Sequence, residues 1–257
     1  MDDYADPAVV VVNDEVVPFS GLIRELAALD ALDLFKRCAR RHLIVQLAER
    51  EGVSINPDTL QAEVNEWRYK HQLERVEDTD AWLAARGVAL CDVASIVENR
   101  LLCCALAERI TQGRIEPYFA EHTLDFDQAE VCWILVADEA VAEELVFQMT
   151  EESRDFYAFA LRYSNDPETR PACGFMGRMR RSQLPGGVSP LIFAASPGTI
   201  VGPVRVEKGY GLYLVRNVYR ATLTATVRKE IRDILFESWL EREMRAARIG
   251  YPFKDNL

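Results

Sequence analysis

The sequence predicts an α+β fold. Two observations carry that prediction. Segments rich in Leu, Ala and Arg fill the chain from about Ser20 to Leu124 and return from about Thr224 to Arg245. Between them lie a strand-like run, Val131-Cys132-Trp133-Ile134-Leu135-Val136, and clusters of glycine and proline. With 257 residues the chain is long enough for one large or two small domains.

In chain order, Val9 to Val12 is a β-branched run fit for an edge strand, and Asn13-Asp14-Glu15 reads as the turn after it. Ser20 to Glu51 is helix-rich and closes at Gly52, a residue suited to a helix C-terminus. Asn56 is placed to cap the next helix with Pro57 at its first position, and that helix runs through Trp67 to about Leu73. Asp78 to Arg86 reads as a short helix ended by Gly87. Val88 to Ile110 reads as a longer one whose Val93, Ile96, Val97, Leu101 and Cys104 share a stripe. Ile115 to Leu124 is the last helix before a connector, Asp125 to Gln128. An acidic, Ala-rich helix follows Asp138, and near the C-terminus Val227, Ile231, Ile234, Leu235, Trp239 and Leu240 mark a helix so apolar that it needs a partner.

Composition excludes several classes. The net charge of -11 argues against a nucleic-acid partner, which requires a basic face. No run reaches the roughly 18 apolar residues of a membrane span, and the start Met1-Asp2-Asp3-Tyr4-Ala5-Asp6 is acidic where a secretory leader is basic, so the expected location is cytoplasmic. The six cysteines, Cys38, Cys91, Cys103, Cys104, Cys132 and Cys173, show no Cys-x-x-Cys spacing and read as buried free thiols. Cys38 and His42 share a helical face, but without further ligands they read as packing, and no metal or cofactor is expected.

From Tyr163 onward the chain runs Ser164-Asn165-Asp166-Pro167, then Gly174-Phe175-Met176-Gly177, Ser182-Gln183-Leu184-Pro185, Phe193-Ala194-Ala195-Ser196-Pro197-Gly198-Thr199-Ile200-Val201-Gly202-Pro203-Val204, and Lys208-Gly209-Tyr210-Gly211-Leu212-Tyr213. In that order and spacing, together with the Val131 to Val136 run, the segment resembles the parvulin (PpiC-type) peptidylprolyl isomerase domain. The order of elements around it resembles the SurA-like chaperones of the same group. The resemblance implies a helical domain, residues 1-125, completed by a C-terminal helix within 221-257. Inserted between the two parts would be a parvulin-like domain, residues 126-220, with a small antiparallel sheet flanked by helices.

Rotation about an X-Pro bond meets a barrier of about 20 kcal/mol. A catalyst needs an apolar slot for the ring and polar groups that favour the twisted amide. In the family, two histidines support a Cys or Asp beside the substrate carbonyl. Carried over residue by residue, that Asp falls on Asp166. The histidine of the first strand falls on Trp133 and that of the last strand on Gly211, so both are absent, and His42, His71 and His122 all lie outside the segment. The slot Met falls on Leu184, and the two slot aromatics fall on Val188 and Phe193. Gln183 and Met179 border the slot, and Arg178, Arg180 and Arg181 crowd the loop leading into it. Arginine forks suit carboxylates.

The resemblance implies a parvulin-like isomerase and peptide-binding chaperone acting on unfolded or precursor peptide, with Asp166, Trp133 and Gly211 at the catalytic positions. The alternative is a binding module that has lost turnover and serves peptide maturation or export. The expected client is a Pro-containing or acidic precursor peptide, and the expected partner is a maturation enzyme or a secretion component.

Overall fold

The computed structural model describes residues 6–151 and 155–250. Residues 1–5 of the acidic start lie outside them. The chain divides into two compact units, residues 1–112 with 232–257, and residues 113–231.

The first unit opens with an antiparallel hairpin, β1 (Ala8–Val12) and β2 (Glu15–Pro18), in which Asn13 takes the left-handed turn position at φ 54°. Helices α1 (Phe19–Ala28) and α2 (Asp33–Arg50) follow, then α3 (Pro57–Lys70), α4 (Val76–Ala84) and α5 (Leu90–Thr111). The Asn56 side chain accepts from the Asp58 N–H at 2.8 Å with Pro57 in the first turn, satisfying an amide that α3 cannot bond internally. In α5 the buried face is not the expected stripe. Val93 and Val97 are buried, but Ile96 is 54% exposed and Cys104 is exposed, while Leu102, Leu106 and Ala107 turn inward.

The core of this unit joins three helices. Ile44, Leu47 and Ala48 of α2 and Leu102, Leu106 and Ala107 of α5 pack with Phe236, Trp239 and Leu240 of the long C-terminal helix. That helix finds in α2 and α5 the partner its apolar face requires. Bidentate Arg40–Glu237 and the Arg50–Glu243 pair, at 2.9 Å, border the seam.

The second unit starts with α6 (Ile115–His122) and a 3₁₀ turn, Thr123–Phe126. The chain continues through β3 (Gln128–Val136), α7 (Glu139–Thr150), α8 (Phe156–Tyr163), β4 (Phe175–Arg180), α9 (Ser189–Ala194), β5 (Ile200–Val206) and β6 (Gly209–Tyr219). It ends in the first turns of α10 (Ala225–Ala246). The helix-rich order with one small antiparallel sheet is the α+β architecture that the sequence predicts. Asp138 and Asp155 cap α7 and α8 with their carboxylates.

The four strands are antiparallel in the order β4-β3-β6-β5. Strand β3 is apolar from Val131 to Val136 because both of its faces are covered. Cys132, Ile134 and Val136 face Ala142, Leu145 and Met149 of α7 and Phe156 and Ala160 of α8. Ala129 and Val131 face Leu184, Val188 and the α9 residues Ile192 and Phe193, with Tyr213 and Val215 of β6 on the same side. Alternation along one strand thus divides the unit into a packing face and the face that carries the candidate site.

The cysteines depart from the buried-thiol expectation. Cys132 is buried, and burial pushes its thiol up to about 11, but Cys38, Cys91 and Cys104 are exposed. Each of these three sits on a solvent-facing helical position that the apolar neighbours in sequence do not reveal.

Candidate active site

The register of β3 against β6 sets Trp133 directly opposite Tyr213 and Leu135 opposite Gly211. Opposed side chains on an antiparallel pair share a face. The Trp133 and Tyr213 rings stack with centroids 5.9 Å apart at 28°, beside the apolar cluster of Leu184, Val188 and Phe193.

The polar part of the site begins at the turn after α8. Ser164 is fully buried, and its hydroxyl accepts from the N–H groups of Leu135 at 3.2 Å and Asp166 at 3.3 Å, pinning the turn to β3. Asp166 then accepts from three donors: the Thr169 N–H at 3.0 Å, the Thr169 hydroxyl, and the Trp133 indole N–H at 3.2 Å. The indole N–H is shared with the Thr169 hydroxyl at 2.8 Å. Burial acts to raise the Asp166 carboxyl, but these hydrogen bonds outweigh it and hold the group below the usual carboxylate value. Asp166 is therefore an anion at neutral pH, held without a histidine. Trp133 joins the two halves, since its ring packs on the apolar cluster while its N–H reaches the carboxylate.

Two glycines permit this geometry. Gly174 lies at φ 82°, and a Cβ there would sit 2.3 Å from the Trp133 carbonyl oxygen; the Gly174 carbonyl in turn accepts from the Trp133 N–H at 2.8 Å. At Gly211 a Cβ would meet the Tyr213 ring at 2.7 Å and its hydroxyl at 2.9 Å. The space that a side chain at 211 would take is filled by the ring of Tyr213. The Tyr213 hydroxyl is buried and has no hydrogen-bond partner among the described residues, and burial pushes its pKa up to about 12, so it stays a neutral O–H.

The structure gathers Leu184, Val188 and Phe193, at 6%, 0% and 4% exposure, into one cluster with Met176 and Met179 at its border. Gln183 is exposed, and its side-chain oxygen accepts from the Arg180 N–H at 2.8 Å, closing the turn after β4. Two of the three arginines are paired with carboxylates within the unit. Arg180 makes a bidentate pair with Glu230. Arg181 donates to the Leu124 carbonyl at 3.0 Å, lies 3.5 Å from Asp127 and covers the Phe193 ring at 4.1 Å, while Arg178 lies 4.0 Å over Tyr219. Sequence reasoning missed Thr169 and Tyr213. A Thr three residues after an Asp is a common turn pattern and signals nothing alone, and Tyr213 acquires its place only through the strand register.

Residues 136–217 match the family model described as "Rotamase: PPIC-type PPIASE domain". The chain carries a parvulin-type domain within a SurA-like architecture. Among relatives, it is 24% identical over 168 residues to the foldase protein PrsA of Caldanaerobacter subterraneus, covering 65% of this chain and 51% of that protein. It is 25% identical over 275 residues to the chaperone SurA of Methylococcus capsulatus, covering 91% of this chain and 60% of that one. The chain thus spans about half the length of these relatives. Among solved structures, PrsA of Bacillus cereus aligns over 96% of this chain and 94% of its own, with 15% identity and a TM-score of 0.51. PrsA of Bacillus anthracis aligns over 85% of this chain and 99% of its own, with 17% identity and a TM-score of 0.50, and both show the same fold.

These relatives overturn the cytoplasmic expectation, because PrsA and SurA are extracytoplasmic foldases and chaperones. The acidity of a few leading residues carries no information about where the folded domains act. No helix among the described residues is long and apolar enough to cross a membrane.

Proposed function

We propose that this protein is a parvulin-type peptidylprolyl isomerase and chaperone that binds unfolded or precursor polypeptide and turns over X-Pro bonds. The observation that carries the reading is the junction at Trp133. One side chain abuts an apolar cluster suited to a proline ring and donates to an ionised carboxylate, whose negative charge disfavours the dipolar resonance form of a nearby amide and so favours the twisted one. In this reading Leu184, Val188 and Phe193 form the slot, Met179 and Gln183 border it, and Asp166 is the polar group, with Trp133 taking the supporting role of the first absent histidine. Gly211 contributes by leaving room. Catalysis follows from differential binding, since the site needs only to hold the twisted amide better than the planar one.

The binding module without turnover is the less favoured alternative, because a hydrogen-bonded polar group is in place despite the missing histidines. A client with acidic flanks would draw on Arg178, since Arg180 and Arg181 are committed to Glu230 and Asp127. The client class that the relatives support is therefore unfolded polypeptide in general.

A protease-coupled assay on a panel of X-Pro peptides tests the proposal. Acceleration that is lost in Asp166→Ala and in Phe193→Ala, with both variants folded, is the expected result. No acceleration by the wild type at high protein concentration would remove the isomerase and leave peptide binding.

A further inference from the structure

Tyr213 lies two residues after Gly211 on β6, so the two residues share one face of the sheet. Three observations converge on it. Its ring lies against the bare α-carbon of Gly211, closer than any Cβ would allow. Its ring stacks on Trp133, whose indole N–H is the shared donor to Asp166 and Thr169. Its hydroxyl, in a residue only 1% exposed, has no partner among the described residues, so the ring is held by packing alone.

We propose that Tyr213 is a positioning residue of the site: its ring fills the volume left beside Gly211 and fixes the Trp133 indole so that its N–H stays on Asp166 and Thr169. Gly211 and Tyr213 then work as one unit, a glycine that opens the space and an aromatic that uses it. The proposal rests on the isomerase reading only for its bearing on turnover, because the arrangement of Trp133 and Asp166 can be followed without it. Burial acts to raise the Asp166 carboxyl, and the hydrogen bonds from Thr169 and Trp133 that bring it below its usual value are the donors that Tyr213 is inferred to hold in place.

The test is NMR on the full chain, following the Asp166 carboxyl carbon through an acid titration and the exchange of the Trp133 indole N–H with water. Trp133→Phe sets the limit, raising the Asp166 midpoint towards the ordinary carboxylate value. Tyr213→Ala and Gly211→Ala should move the midpoint the same way and speed indole exchange by about tenfold or more, the scale of effect expected when a site loosens. Tyr213→Phe, which keeps the ring, should leave both at wild-type values. If Tyr213→Ala does not fold, Tyr213→Leu, apolar but not aromatic, replaces it. Folded variants at position 213 or 211 with an unchanged Asp166 midpoint and unchanged indole exchange would overturn the proposal and leave Tyr213 as filler. A wild type without isomerase turnover whose variants still shift the midpoint would instead defeat the isomerase reading while the positioning role stands.

Discussion

Arg220 places a guanidinium nitrogen 2.7 Å from the carboxylate of Asp127, a side chain only 1% exposed. Asp127 also accepts from the Ala221 N–H at 2.9 Å and lies 3.5 Å from Arg181. Burial acts to raise this carboxyl, but the bonds from Ala221 and Arg220 and the charge of Arg181 bring it below its usual value. A folded-state pKa below the unfolded one gives stability that is present above the ordinary carboxylate value of about 4 and is lost as pH falls through the folded pKa. Asp166 contributes with the same sign. Urea unfolding should show constant stability near neutrality and a decline in acid, and Asp127→Asn should lower stability at pH 7 by about 2 kcal/mol while flattening the acid decline. An acid profile unchanged in Asp127→Asn would contradict this account.

The unpartnered hydroxyl of Tyr213 makes a separate stability prediction. A buried polar group without a partner carries its full desolvation cost, so Tyr213→Phe should stabilise the protein by about 1 kcal/mol. Thermal unfolding measures it, and a fall in midpoint would mean that the hydroxyl has a partner in solution.

Gly174→Ala should cost more than about 2 kcal/mol, because it adds a left-handed strain to a collision with the Trp133 carbonyl. The damage should appear at the site as well as in stability, since β4 is led into the sheet through that contact. Indole fluorescence at Trp133 unchanged in a fully stable variant would argue against it.

Leu240 is fully buried between α2 and α5, so Leu240→Ala should cost about 2–5 kcal/mol in the first unit. Ile234→Ala on the same helix, at a position 39% exposed, should cost far less. Equal effects from the two substitutions would mean that the buried face of α10 lies elsewhere.

What could be read in the sequence was what short-range chemistry dictates. Asn56 and Pro57 announce a helix start by themselves, and the apolar run around Ile134 declares a strand covered on both sides. Strand β2 escaped notice because Val16 and Val17 are too brief a pattern to stand apart from a turn. Along α5 and α10 apolar residues lie on more than one face, so spacing alone chose Ile96 and Ile234 where the fold buries Leu102 and Phe236. The arginine loop was misjudged for a related reason. Glu230 and Asp127 are distant in sequence from Arg180 and Arg181, and nothing local shows that those guanidinium groups are already engaged. At the site, Asp166 and the slot residues could be named by position, whereas Thr169 meets Trp133 only once the turn after α8 lies on β3, and Tyr213 meets it only once β3 and β6 are in register.

A side chain at 211 and the ring of Tyr213 contend for one volume, since a Cβ at 211 would lie 2.7 Å from the ring and the ring would have to move to admit it. Among related chains, the two positions should therefore trade volume, a bulky 211 with an aliphatic 213 or a glycine with an aromatic.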